Sequence, residues 1–240
     1  MIGTMSTLLH VIALSWLAGL AAFAGGMAAR LETSSETPRK RVLIHGVVAF
    51  GGGVLLAAVA LALIPEGIAN LHPLALTTIF LAGGGFSYAI DLAMARMHGS
   101  GAQLAALLLD FVPEAVSLGA VFAHDRQTGL LLAGFIAVQN LPEGFNAYRE
   151  MRAGGIAARV GLATLLGASI AGPLAAGIGH LVLQDQPAPT AAIMTFASGG
   201  IVYLVFQDIA PQAHMRRQLR PPLGAVLGFA LGMLGTALLH

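Results

Sequence analysis

Three carboxylates lie in long apolar stretches of the sequence that contain no lysine or arginine. Asp110 and Glu114 belong to "DFVPEA" at 110–115, and Glu143 belongs to "QNLPEG" at 139–144. A charged side chain at the centre of a lipid bilayer costs about 3 kcal/mol or more to insert. If these stretches cross a membrane, protons or a bound cation must therefore neutralise the carboxylates.

The two stretches repeat one arrangement of oxygen-bearing side chains. Asp110 stands four residues before Glu114, and Gln139 stands four residues before Glu143, so each pair shares one face of a helix. A proline directly precedes each glutamate and leaves a backbone carbonyl without its helical partner. Two antiparallel helices with these oxygens at similar depth would surround one cation. The alternative is a cluster of protonated acids that only holds two kinked helices together.

The composition of the chain indicates that these helices lie in lipid. Of 240 residues, 57% are hydrophobic and 10% are charged, whereas soluble domains carry about 25% charged residues. The absence of cysteine excludes disulfides, thiolate metal sites and cysteine nucleophiles. No long basic tract is available for nucleic acid. We predict a single transmembrane domain that spans residues 1–240.

The apolar stretches are typical of an all-α, polytopic membrane protein. A spanning helix needs about 20 mostly apolar residues, and a strand would show alternation instead. The first stretch lacks a preceding basic region, so we interpret it as a retained helix and not as a signal peptide. We predict eight spans, at 8–28, 42–64, 74–95, 102–123, 129–148, 156–183, 190–210 and 221–239.

The positions of the basic residues predict the orientation of these spans. Of the twelve lysines and arginines, only Arg126 lies in the loops on one side of the predicted bundle. Because cytoplasmic loops are enriched in lysine and arginine, the opposite side is predicted to be cytoplasmic, with both termini non-cytoplasmic. The residues on that side are Arg30, Arg39, Lys40, Arg41, Arg96, Arg149, Arg152, Arg159, Arg216, Arg217 and Arg220.

At these motifs the chain resembles the ZIP (Zrt/Irt-like protein) family of metal-ion transporters. The segment "QNLPEGFNA" at 139–147 is a close match to the metal-binding motif of span 5 in that family, and "DFVPEA" is a degenerate match to that of span 4. Further similarity follows in chain order at the expected spans. These segments are "LALIPEGIANL" at 61–71, "LLGASIAGPLAAGIG" at 165–179, "TFASGGIVYLVFQDIAPQAH" at 195–214 and "LGAVLGFALGM" at 223–233.

The resemblance implies a transporter that moves divalent metal ions toward the cytoplasm through a mid-membrane site. A first metal site would keep four ligands, which are Asp110, Glu114, Gln139 and Glu143. A second site would keep Asn140 and share Glu143. It would lose two ligands, because phenylalanine and glycine stand at Phe111 and Gly172. We therefore expect one central site and at most a weak second one.

The donor atoms predict which ion is preferred. The family's histidine in span 4 is replaced by Asp110, so every remaining ligand offers oxygen. Zinc sites usually include nitrogen or sulfur, whereas oxygen sites suit harder ions. We hypothesise a shift from zinc toward manganese, iron(II) or cadmium. The ion is the transported substrate, and no cofactor is expected.

Polar residues at the ends of two predicted spans lie on a path to and from the centre. Glu66 follows span 2 and would attract an incoming ion, with an exposed helix end as the alternative. Gln207, Asp208 and His214 lie at the inner end of span 7 and would receive an ion that leaves the centre.

Glycine repeats predict close helix packing. Gly224, Gly228 and Gly232 form a small-residue stripe on span 8, which predicts contact within the bundle, with the seam of a homodimer as the alternative. The triplets at 51–53 and 83–85 are interpreted as surfaces along which helices slide.

Two other functions remain as alternatives to transport. A membrane-embedded hydrolase would use metal-activated water, but the chain has no "HExxH" pair. A non-transporting relative of the ZIP family would have a structural or regulatory role. The compact length and the absence of targeting signals are typical of a multi-pass protein of a bacterial inner membrane.

Overall fold

The computed structural model describes residues 2–32, 37–96, 102–123, 125–183, 185–215 and 218–239. Within these ranges the chain is almost entirely helical and forms no strand. The prediction of an all-α protein is therefore confirmed. Three of the histidines and two of the arginines on the basic side lie outside the described residues, namely His98, His124, His240, Arg216 and Arg217.

Eleven α-helices and two π-helical turns make up the described part of the chain. The α-helices are α1 (Ile2–Leu31), α2 (Pro38–Ala58), α3 (Ile64–Asn70), α4 (Pro73–Arg96), α5 (Ala102–Val121), α6 (Arg126–Ala153), α7 (Ala158–Ala168), α8 (Ala171–Leu183), α9 (Pro187–Leu204), α10 (Ala210–Ala213) and α11 (Leu223–Leu239). The π-helical turns cover Val59–Leu63 and Val205–Ile209.

Five of the continuous helical stretches in the described residues are long and apolar enough to cross a membrane. They are Ser6–Leu31, Pro38–Asn70, Pro73–Ala93, Ala158–Leu183 and Pro187–Ala213. The helix α11 is apolar but has only 17 residues. The two helices that carry the predicted metal ligands, α5 and α6, are not among the five. Several long apolar helices are the mark of a multi-pass membrane protein.

Each π-helical turn lies just before a proline. Pro65 follows the first turn and Pro211 follows the second, and each helix continues beyond its proline. A proline has no N–H for the helical ladder, and a π-helical turn absorbs the mismatch by inserting a residue. The second predicted span therefore does not stop at 64 but continues to Asn70, and Glu66 lies within a helix instead of after one.

The helices pack as two bundles. One bundle contains α1, α5, α6, α7 and α8, in which α1 packs mainly against α6 and α5 packs mainly against α8. The other contains the remaining helices, in which α2 packs against α11 and α4 packs against α9. The bundles meet chiefly where α6 contacts α2 and where α5 contacts α9.

Glycines bring the paired helices into backbone contact. A Cβ atom at Gly224 would lie 2.1 Å from the backbone oxygen of Gly46, and one at Gly228 would lie 2.1 Å from that of Phe50. The stripe on α11 therefore packs against α2 inside the molecule, as the sequence predicts. Of the glycines at 51–53, only Gly51 faces the other bundle, where a Cβ atom would lie 3.1 Å from the ring of Pro142.

Candidate metal centre

The helices α5 and α6 cross the first bundle side by side, and each contains its proline in mid-helix. A proline has no backbone N–H, so the carbonyl one turn earlier in each helix lacks its usual hydrogen-bond donor. Ser117 follows Pro113 by one turn, and its hydroxyl donates to the Pro113 carbonyl at 2.9 Å. Both helices therefore continue through a proline that directly precedes the glutamate.

A short hydrogen bond joins the two motifs. The Gln139 amide nitrogen donates to the Glu114 carboxylate at 2.6 Å, and both side chains are buried. The amide oxygen of Gln139 then faces away from this bond and has no hydrogen-bond partner. The two i, i+4 motifs are thus brought together across the interface of α5 and α6.

The other two carboxylates line a small cavity between the bundles. Asp110 and Glu143 border a space of about 50 Å³, and Glu143 is close enough to Asp110 and Glu114 for mutual electrostatic repulsion. The second bundle contributes Asp208 and Gln212 to the same cavity. Among the described residues that line it there is no lysine or arginine. Three carboxyl groups, those of Asp110, Glu143 and Asp208, therefore border one small cavity.

Asp110 also borders a second space on its other side. A mostly apolar groove of about 460 Å³ runs between α4, α5 and α9 and reaches Asp110 at its inner wall. Asp110 therefore lies where a polar cavity meets an apolar groove.

Three buried oxygens at the centre have no hydrogen-bond partner. They are Gln139 Oε1, Asn140 Oδ1 and Glu143 Oε2. An unsatisfied buried polar atom costs about 1–3 kcal/mol, so native proteins rarely leave several together. All three are acceptors, which a cation or an ordered water satisfies. The centre therefore offers a group of oxygen acceptors to such a ligand.

The carboxylates do not form a closed ligand shell. Within the described ranges, no three side chains of histidine, cysteine, aspartate or glutamate converge closely enough to hold a metal ion. The central oxygens come instead from a mixed set of carboxylates and side-chain amides. A divalent ion bound here would have to draw Asp110 and Glu143 toward the Gln139–Glu114 pair.

Asn140 and Phe111 lie on the side of the centre that faces α1 and α8. The Asn140 amide is 1% exposed and donates to the backbone oxygen of Ala18 at 3.0 Å. Phe111 is fully buried. A Cβ atom at Gly172 would lie 2.4 Å from the end of its ring, and one at Gly19 would lie 2.9 Å from it. The ring therefore fills the volume that Gly172 and Gly19 leave open.

The structure brings only some of the predicted path residues to the cavity. Asp208 lines it, whereas Gln207 and His214 are exposed and do not. Glu66 lies in the first turn of α3 and does not line the cavity, and its carboxylate accepts a hydrogen bond from the Asn70 amide at 2.8 Å. Only Asp208 of these four is therefore brought close to the centre.

The sequence analysis missed two polar residues of the cavity, Asn146 and Gln212. Asn146 stands three residues after Glu143, and Gln212 stands four residues after Asp208. Those spacings put each amide on the same helical face as a carboxylate that was singled out, and this signal could have identified both.

The fold and the centre together define a class: a multi-pass α-helical membrane protein with buried carboxyl groups and unpartnered acceptors on two neighbouring helices. Searches with the chain find no matching protein-family model and no matching curated protein.

Proposed function

We propose that the protein transports divalent metal ions through the centre formed by Asp110, Glu114, Gln139 and Glu143, as the resemblance to the ZIP family implies. The observation that carries the proposal is the group of three buried, unpartnered oxygens beside three carboxylates. A divalent cation would satisfy both the acceptors and the charge, and it would have to displace protons, because protonated carboxyl groups can donate to the same acceptors.

The proposal includes eight spans with both termini on the non-cytoplasmic side. Eight helical rods overlap the eight apolar segments, if α2–α3, α7–α8 and α9–α10 are each counted as one rod. Because the basic residues lie in alternate loops, they share one side, which the positive-inside rule assigns to the cytoplasm, and an even number of crossings puts both termini on the other side. We also propose a bacterial inner membrane as its location.

Movement of one bundle against the other would carry the ion. The proposed ligands all lie on α5 and α6, within the first bundle, while Asp208 and Gln212 belong to the second. Packing within each bundle is much more extensive than packing between them. An ion released from Asp110 and Glu143 would therefore meet the Asp208 carboxylate next, on the path inward.

We expect one ion per chain at this centre. Phe111 fills the volume that Gly172 leaves open, so neither position offers a ligand to a second ion, which would also have no carboxylate of its own. Isothermal titration of the purified protein with Cd²⁺ or Mn²⁺ should give one central site, which disappears in Glu143→Gln. Two ions held by side chains at the centre, located by anomalous scattering, would contradict this expectation.

The oxygen donors predict a preference for manganese over zinc. Proteoliposomes that contain the protein should take up labelled Mn²⁺, and equal concentrations of unlabelled Zn²⁺ should compete less well than unlabelled Mn²⁺. Protein-free liposomes give the background leak. If zinc competes several times better than manganese, the selectivity hypothesis is wrong while transport itself stands.

Absence of any metal uptake would favour the second candidate, a non-transporting protein with a structural or regulatory role. The specific observation behind this alternative is that the carboxylates do not converge into a closed ligand shell within the described residues. Metal binding without uptake would separate this candidate from the transporter.

A further inference from the structure

Two adjoining cavities at the arginine-rich end of the molecule are not used by the proposed transport path. The first, of about 350 Å³, lies where α1 and α6 both end and is lined by Arg30, Arg149 and Arg152 with Tyr148. The second, of about 290 Å³, runs between α2 and α6 and is lined mainly by apolar side chains. The two share Glu32 at their junction.

The first cavity is suited to an anion. Its lining contains three guanidinium groups and one carboxylate, and that carboxylate of Glu32 is paired with the ammonium group of Lys40. Guanidinium groups bind phosphate in a bidentate manner, which gives both charge and geometry. Basic pockets between helices on the cytoplasmic side of membrane proteins bind the phosphate groups of lipids.

The second cavity is suited to a hydrocarbon chain. Its wall on α2 consists of Leu43, Ile44, Val47 and Val48, of which Leu43 is 67% and Val47 is 42% exposed. Side chains of this kind on a membrane protein face lipid tails and need no further partner. The cavity lies between α2 and α6, where the two bundles meet.

One contact joins the two cavities. Phe145 lines the apolar groove, and the guanidinium group of Arg149, which lines the polar cavity, lies 5.7 Å from the centre of its ring. A molecule with a phosphate in the first cavity would therefore place its next atoms along Phe145 and into the second.

We propose that this pair of cavities binds one anionic phospholipid, with its phosphate among Arg30, Arg149 and Arg152 and an acyl chain along Leu43, Val47 and Phe145. The continuity of a basic pocket with an apolar groove selects a lipid over a free phosphate, because a free phosphate would leave the groove unused. The bound chain lies between the two bundles. The proposal does not depend on metal transport.

Native mass spectrometry of the purified protein tests the proposal with two lipids of identical chains, dioleoyl phosphatidylglycerol and dioleoyl phosphatidylcholine. The anionic lipid should bind at least about ten-fold more tightly, since each basic residue near the headgroup strengthens binding several-fold. A triple variant with Arg30→Gln, Arg149→Gln and Arg152→Gln should lower the preference to near parity. Val47→Trp should weaken the binding of both lipids by blocking the groove.

A matched triple variant separates the pocket from general surface charge. Arg39→Gln, Arg159→Gln and Arg220→Gln remove the same charge from exposed arginines that do not line the cavities, and the lipid preference should survive. Equal loss in both triple variants would overturn the proposal in favour of diffuse attraction. Competition by glycerol-3-phosphate as strong as that by phosphatidylglycerol, or no effect of Val47→Trp, would overturn the lipid as occupant.

Discussion

Replacement of Glu143 by glutamine is expected to lower divalent-metal uptake into proteoliposomes by roughly a hundred-fold. The substitution keeps the size of the side chain and one oxygen acceptor but removes a charge from the centre. Removal of one partner from a buried charge pair costs about 3–5 kcal/mol, and each 1.4 kcal/mol is about ten-fold in affinity. The measurement is the initial rate of Mn²⁺ or Cd²⁺ uptake at matched protein density.

The control for this prediction is the same chemical change at Glu150. Glu150 lies on the same helix, near its end, and lines neither of the spaces that Asp110 borders. Glu150→Gln should transport within about two-fold of the unchanged protein, because it makes the same change of charge outside the centre. Thermal unfolding should show that both variants are folded. Unimpaired uptake by folded Glu143→Gln would refute the role of the centre.

The helices could be predicted from the sequence because their apolar runs are long and the polar breaks between them are short. The end of the second helix could not, because Pro65 is a typical helix terminator and a π-helical turn absorbs it here. A π-helical turn has no sequence signature of its own. Glu66 was therefore placed after the helix, although it lies inside.

Only the part of the centre that depends on spacing within one helix could be predicted from the sequence. The i, i+4 pairs on α5 and α6 identify Asp110, Glu114, Gln139 and Glu143, since spacing within one helix fixes a shared face. That Gln139 hydrogen-bonds Glu114, and that Asp208 lines the cavity with Glu143, depends on how separate helices pack. Packing of distant segments leaves no trace in local sequence.

Two residues that look independent in the sequence prove to be one packing unit. Phe111 and Gly172 stand 61 positions apart. The resemblance to the ZIP family implies that each replaces a metal ligand. In the structure, the ring of Phe111 fits because Gly172 and Gly19 have no side chain. The two positions are therefore coupled by packing, since the missing side chain at Gly172 leaves room for the fully buried ring of Phe111.

Substitution of Gly144 by alanine is expected to have the largest effect on stability. A Cβ atom there would lie 2.0 Å from the backbone oxygen of Ala22, a distance at which α1 and α6 must move apart. On the facing helix, Gly25 makes the reciprocal contact, 1.9 Å from the backbone oxygen of Leu141. Overpacking of this kind costs about 3 kcal/mol, so we expect the unfolding temperature in detergent to fall by roughly 5–10 °C.

Gly134→Ala is the matched control, since Gly134 lies on the same helix and a Cβ atom there would meet nothing within 4 Å. Alanine favours the helix by about 1 kcal/mol over glycine, so Gly134→Ala should unfold at the same temperature or slightly higher. The two variants make one chemical change with opposite predicted signs. If both raise the unfolding temperature, helix propensity outweighs packing, and the close approach of α1 and α6 described above is wrong.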